Sequence, residues 1–138
     1  MKIKILTPVY NDWDSVIKLL DKINLEVAKL KDEFSVIILN DASTESLPKI
    51  ETNYKNIFSI SIINMKNNLG HARCYATGLK YIFENSEFDY VIPMDGDGED
   101  RPEEIKNFIR NIDSNSNNPI VGERVKRSEG PIFKINYI

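Results

Sequence analysis

Four carboxylates, Asp95, Asp97, Glu99 and Asp100, fall within six consecutive residues, directly after the apolar run Tyr90-Val91-Ile92-Pro93-Met94. Carboxylates held this close repel one another, by about 4 kcal/mol at a separation of about 4 Å and an effective dielectric near 20. A hard divalent cation with oxygen ligands relieves that repulsion. Gly96 and Gly98, set between the acids, let the chain turn tightly and let a ligand come close. The same residues have a plainer use: Asp100-x-x-Glu103, with Pro102 in the first turn, forms a capping box at the start of a helix.

Three metal chemistries compete for such a loop. A calcium loop of the EF-hand type starting at Asp95 requires Gly at its sixth position and Glu at its twelfth; these are Asp100 and Lys106, which excludes it. A phosphatase of the haloacid dehalogenase type places Asp-x-Asp after an apolar strand and uses the first Asp as nucleophile. It expects Thr or Val soon afterwards, where this chain has Gly98-Glu99, and its motif normally sits on the first strand. The third chemistry is a divalent ion bridging the diphosphate of a nucleotide sugar.

The elements that carry the loop alternate. Lys2 to Val9 reads as a first strand, followed by the loop Tyr10-Asn11-Asp12. A helix capped by Asn11 or Asp14 follows, with Val16, Leu20, Ile23, Val27 and Leu30 at helical spacing. Phe34 to Leu39 is a second strand, apolar enough for both faces to be covered, and Asn40-Asp41-Ala42-Ser43-Thr44-Glu45 ends it. A short helix is expected from Leu47 to Tyr54, with Pro48 in its first turn, then a third strand from Ile57 to Ile63. The polar loop Asn64 to Gly70 leads into a helix near His71, whose buried stripe is Ala72, Tyr75, Ala76, Leu79, Ile82 and Phe83. His71, the one histidine, reads as a polar residue in that helix's first turn. Phe88 to Met94 is the fourth strand. After the acidic loop comes a helix with Ile105, Phe108, Ile109 and Ile112 inward, a Ser/Asn connection at 114–118 and a short fifth strand, Pro119 to Gly122.

This alternation predicts an α/β fold, a three-layer sandwich with a mostly parallel central sheet. In such a sheet the carboxyl ends of the strands share one edge, where ligands bind. It gathers Pro8, Tyr10 and Asp12, Asn40 and Asp41, Lys66, Asn68 and Gly70, Asp95, Asp97 and Glu99, and Glu123 and Arg124 into one crevice.

The chain has 138 residues, which suits a single domain over 1–138, with 123–138 as the start of a further element. A net charge of −3 argues against non-specific nucleic-acid binding. One cysteine, Cys74, rules out an intrachain disulfide and reads as a small buried helix residue rather than a nucleophile. The apolar runs are far shorter than the ~20 residues that span a membrane, and the basic start lacks a signal-peptide core. The expectation is a soluble, cytoplasmic protein.

Four segments, Thr7-Pro8-Val9-Tyr10-Asn11-Asp12, Leu39-Asn40-Asp41-Ala42-Ser43-Thr44, Asn68-Leu69-Gly70-His71-Ala72-Arg73 and Met94-Asp95-Gly96-Asp97-Gly98-Glu99-Asp100-Arg101-Pro102-Glu103-Glu104-Ile105, resemble family 2 glycosyltransferases of GT-A, Rossmann-like fold, in order and in spacing. The run into Arg101-Pro102-Glu103-Glu104, followed by Val121-Gly122-Glu123-Arg124, is most similar to the branch that loads sugars onto polyprenyl or dolichol phosphates. The resemblance implies inverting transfer from a UDP- or GDP-sugar, with Mg²⁺ or Mn²⁺ as cofactor. It implies that Pro8, Tyr10 and Asp12 hold the nucleoside and that Asn40, Asp41, Gly70, Arg73 and Gly96 belong to the donor site. Asp97 also lines that site and with Glu99 takes the metal positions, while Asp95 is the catalytic carboxylate beside the transferring sugar. Arg124 is the second catalytic position, near the acceptor phosphate.

Two positions depart from the family's pattern. Asn40 stands where an Asp is usual, and Glu99 where the polyprenyl branch often has Gln. Members usually run longer, so the resemblance implies a nearly complete donor half and a truncated acceptor half. From Pro119 onward there are four basic and two acidic residues, followed by the apolar Ile132, Phe133, Ile135, Tyr137 and Ile138. This tail is expected to contact a membrane surface peripherally, toward a lipid-phosphate acceptor. The residues alone also allow a non-catalytic nucleotide-sugar-binding module.

Overall fold

A computed structural model of the chain describes residues 1–50, 53–113 and 116–122. It divides into two compact units, Met1–Lys106 and Asn107–Ile138. The first carries nearly all the regular structure: β1 (Lys2–Val9), α1 (Trp13–Val27), β2 (Glu33–Asn40), β3 (Ser59–Asn64), α2 (His71–Asn85), β4 (Tyr90–Pro93), a 3-10 turn at Pro102–Glu104 and the start of α3 (Ile105–Arg110).

The four strands form one sheet in the order β3-β2-β1-β4, every pair parallel. The chain builds outward from β1 through β2 to β3, then returns to the other side of β1 for β4. Side chains alternate across a strand, and the two helices divide the faces of β1 accordingly. Leu6, Ile37 and Leu39 of the sheet pack with Cys74 and Ile82 of α2. Thr7 and Val16 of α1 both lie against the position a Cβ on Gly96 would take, on the opposite face. The result is the three-layer α/β sandwich expected from the alternation.

Several elements differ from expectation, each for a local reason. The cap of α1 is Asp12, whose carboxylate accepts the Ser15 N–H at 3.4 Å. Asn11 is drawn away because its side-chain oxygen accepts the Thr44 and Glu45 amides. That contact holds the segment after β2 over the β1–α1 loop. No helix forms over the described part of 47–54, where only Leu47 and Ile50 offer an apolar face for so short a helix, too little to stabilise it. Strands β3 and β4 are shorter than the apolar runs that predict them. The capping box at Asp100 is absent because the Asp100 carboxylate accepts the Asp95 N–H at 2.7 Å, and Arg101 precedes the 3-10 turn without a side-chain cap. Within the second unit, Pro119–Gly122 is irregular rather than a strand. Among the described residues no helix is long and apolar enough to cross a membrane.

The buried stripe of α2 is also displaced. Cys74, Gly78 and Ile82 face the sheet, while Ala72, Ala76, Leu79 and Phe83 are exposed, Phe83 at 79%. Gly78 decides this. A Cβ there would stand 2.5 Å from Leu39 Cδ1 and 3.0 Å from Leu6 Cδ1, so the helix backbone lies directly on the two leucines. Cys74, one turn earlier, is fully buried, and burial, followed by the Asp41 charge, pushes its thiol pKa up to about 11.

Overpacking at this contact costs about 1–3 kcal/mol, more than the few tenths gained when Val replaces Gly in a helix. Gly78→Val therefore lowers the unfolding free energy by about 1–3 kcal/mol. Gly78→Ala lies nearer neutral, because its helix-propensity gain of about 1 kcal/mol offsets much of the strain. Urea denaturation of the two variants measures both.

Candidate functional site

The reversal of strand order falls between β1 and β4, where an open parallel sheet leaves a crevice at the carboxyl ends of its strands. A cavity of about 340 Å³ lies there, lined by Pro8, Val9, Tyr10, Asp12, Val16, Asp41, Asn68, Gly70, His71, Asp95, Gly96 and Asp97. Four strand ends or the loops after them contribute, as the fold requires. A larger cavity of about 470 Å³ lies at the opposite edge, around Met1, Lys2 and Glu87. Ion pairs engage part of its polar lining, Lys2 Nζ with Glu87 at 2.6 Å and the amino terminus with Asp32 at 2.9 Å, and its position at the amino ends of the strands is not where such sheets bind ligands.

The nucleoside-side residues sit on the loop after β1. Tyr10 is 51% exposed over the crevice, its ring accessible for stacking. Asp12 is committed to capping α1 yet still lines the cavity. Asp41, at the end of β2, is buried, and its two oxygens accept the Leu69 N–H at 2.9 Å and the Gly70 N–H at 3.1 Å. Its own backbone carbonyl accepts from the Asn68 amide at 3.1 Å. A buried carboxylate must be hydrogen-bonded, and here the partners are the backbone of the loop that starts α2. Gly70 follows at φ 80, ψ 165, a conformation essentially confined to glycine. Ala42, just after Asp41, is held at φ 59, which alanine seldom adopts.

The acidic loop leaves β4 with Met94 buried and turns at Gly98, φ 89. Asp95 is the most tightly held of its acids. Besides the bond from its N–H to Asp100, its Oδ1 accepts the Tyr75 hydroxyl at 2.7 Å and lies 3.0 Å from His71 Nε2. Burial and then the Asp95 carboxylate push the Tyr75 phenol far above its usual range, which keeps it a donor. The His71 and Tyr75 rings meet edge to face at 4.9 Å and 87°. Asp97 and Glu99 are exposed, with Asp97 Oδ1 accepting the Glu99 N–H at 2.9 Å.

Among the described residues no three His, Cys, Asp or Glu side chains converge as an all-protein metal cage. The exposed carboxylate of Asp97 beside a cavity instead suits an ion that takes one or two carboxylates and completes its shell with water and phosphate oxygens, as Mg²⁺ does. The residues fit a divalent ion in that manner.

Of the residues singled out in the sequence, Pro8, Tyr10, Asp12, Asp41, Gly70, Asp95, Gly96 and Asp97 meet in the crevice, with Asn68 from the wider set. Asn40, Lys66, Arg73 and Glu99 are not among its lining. The Asn40 amide donates to Asn64 Oδ1 at 2.9 Å and accepts the Ser43 N–H at 3.0 Å, joining the ends of β2 and β3. Arg73 is exposed on α2, where its carbonyl accepts the Thr77 hydroxyl. Arg124, Glu123 and the tail lie outside the described residues. Sequence reasoning overlooked His71 and Tyr75 as site residues. The available signal was their spacing of four, which puts both on one face of a helix that begins at the loop.

The family model described as "Glycosyl transferase family 2" matches residues 4–137. The undecaprenyl-phosphate 4-deoxy-4-formamido-L-arabinose transferase of Proteus mirabilis is 25% identical over 135 residues, covering 96% of this chain and 40% of that protein. The dodecaprenyl-phosphate galacturonate synthase of Rhizobium johnstonii is 19% identical over 146 residues, covering 100% of this chain and 42% of the relative. The chain thus spans about two fifths of the length of these relatives. Among solved structures, S. aureus TarS 1-349 superposes with a TM-score of 0.59 at 24% identity, over 80% of this chain and 32% of that one, and shares its fold.

Asp41→Ala removes the shared acceptor of the Leu69 and Gly70 amides, two part-buried bonds whose loss costs about 0.5–1.5 kcal/mol each. The expected result is a lower melting temperature together with faster hydrogen exchange at Leu69 and Gly70, read by NMR. Unchanged exchange at those two amides contradicts the assigned role.

Proposed function

Because this chain belongs to glycosyl transferase family 2, we propose that it is the donor-binding part of an inverting, metal-dependent glycosyltransferase that takes its sugar from a UDP- or GDP-sugar. The observation that carries this reading is the crevice at the strand-order reversal, lined by Tyr10 after β1, Asp41 after β2 and Asp95 and Asp97 after β4. A nucleoside diphosphate sugar is a ligand with a flat base at one end, a polyhydroxylated ring at the other and anionic phosphate between, and the lining offers an aromatic ring and carboxylates to match.

In this reading the Tyr10 ring lies against the base, and the Asp41 loop shapes the nucleoside side of the crevice. Asp97, with Glu99 beside it, holds Mg²⁺ or Mn²⁺ at the diphosphate. The chemistry that ion supplies is Lewis-acid stabilisation of the charge gathering on the leaving group. Asp95 accepts hydrogen bonds from the sugar hydroxyls and orients the anomeric carbon for attack from the opposite side. The acceptor is a polyprenyl phosphate, the acceptor class named for both curated relatives. A phosphate oxygen is already ionised at neutral pH, so attack needs little help from a general base. Arg124 is assigned to the acceptor phosphate, whose geometry a guanidinium matches. The single domain over 1–138 and the membrane-facing role of 123–138 belong to the same proposal.

Calorimetric titration with UDP and GDP, in MnCl₂ and in EDTA, tests the donor side. Affinity is expected to fall in EDTA, and Asp97→Asn to remove most of the manganese-dependent gain, at least the roughly tenfold that even an outer-sphere partner contributes to metal affinity. Equal affinity in EDTA and manganese refutes the metal assignment. For the acceptor side, salt-sensitive flotation of the chain with anionic vesicles is expected, each tail cation contributing about 1 kcal/mol near the surface. Absence of flotation at low salt refutes the membrane contact.

A further inference from the structure

We propose that the first two turns of α2 aim Asp95 at the donor sugar, with His71 and Tyr75 as its positioning residues. This deepens the donor-site reading above and rests on it. A carboxylate that must meet particular hydroxyls is useful only in one orientation, and an Asp on a glycine-rich loop is free to rotate unless something holds it. Here both side-chain contacts fall on a single oxygen: the Tyr75 hydroxyl at 2.7 Å and His71 Nε2 at 3.0 Å from Oδ1. The backbone of Asp95 is fixed separately by Asp100.

The two positioning residues act as a unit, four apart on one helix face with their rings in edge-to-face contact. They are not equal. Tyr75 is half-buried and its hydroxyl bond is sheltered, whereas the His71 side chain is 60% exposed, where a contact with a carboxylate contributes less. Their helix follows Gly70, whose amide is held by Asp41. The sugar-facing carboxylate is thereby referenced to the nucleoside side of the crevice through a continuous chain of bonds. Neither residue is assigned any chemical step.

The test compares bare nucleotide with nucleotide sugar. Calorimetry of the full chain in MnCl₂ with UDP, UDP-glucose, GDP and GDP-mannose gives, for each variant, the ratio of sugar-nucleotide to nucleotide affinity. Tyr75→Phe keeps the ring and removes only the hydroxyl. It is expected to lower that ratio by about fivefold or more, and His71→Asn by about twofold. Asp95→Asn is expected to lower it at least as far as Tyr75→Phe, and adding Tyr75→Phe to Asp95→Asn is expected to cost nothing further. A role confined to holding the fold moves both affinities together and lowers the melting temperature. An unchanged ratio in Tyr75→Phe, or additive losses in the double variant, overturns the inference. Should Tyr75→Phe fail to fold, exposed His71→Asn decides alone, and an unchanged ratio there overturns it. Wild-type protein that binds none of the four ligands overturns the donor-site reading and this inference with it. Wild type that binds them with a ratio lowered by Asp95→Asn but insensitive to Tyr75→Phe and His71→Asn overturns this inference only.

Discussion

Strand β1 has a parallel neighbour on each side, and among the described residues the chain passes from one side to the other once. That single constraint places everything else. Parallel pairing forces a crossover between strands and sends every carboxyl end to the same edge. The reversal around β1 means that the loops after β1 and β4 diverge instead of covering each other. The apolar β1, with Ile3, Ile5, Leu6, Thr7 and Val9 all buried, is the price of that position, since both faces must be covered by helices.

Two carboxylates at strand ends then reach the same helix start from opposite sides. Asp41, from β2, accepts the Leu69 and Gly70 amides ahead of α2, and Asp95, from β4, receives Tyr75 and His71 from its first turns. The helix has no side-chain cap of its own, so these contacts supply from outside the anchoring that a capping residue gives elsewhere. The electrostatics agree, because acidic groups are favoured near the positive end of a helix dipole. Ala42, next to Asp41, is held at a positive φ, as happens where site geometry is over-determined by its surroundings.

The layer order and the parallel sheet were legible because they follow from periodicity and alternation, which are local. The crevice was legible for the same reason: Pro8 closes a strand, Tyr10, Asp41, Gly70, Asp95 and Asp97 follow strands, and a parallel sheet collects whatever lies at its strand ends. What sequence reasoning misplaced depends on distant partners. Leu79 and Phe83 have the spacing of a buried stripe, but Gly78 beds its helix on Leu6 and Leu39 along a different line. Asp100 has the spacing of a helix cap but serves the Asp95 amide. Tyr75 was read as core because it falls at helical spacing with Ala72 and Leu79, and that spacing alone does not show that its hydroxyl meets a carboxylate twenty residues later. Asn11 was read as a cap candidate, and only the return of Thr44 and Glu45 over the β1–α1 loop reveals its other use.

Cys74 lies on the sheet-facing side of α2 with no exposed surface and a thiol pushed toward about 11. Thiol reagents attack the thiolate, so a reagent in solution meets this sulfur only when the helix lifts from the sheet. The rate of labelling therefore counts openings of one layer against the next, in the way that exchange of a buried amide counts local unfolding. With no second cysteine in the chain, the signal has a single origin. The protein thus carries its own clock for the detachment of the helix that begins at the crevice.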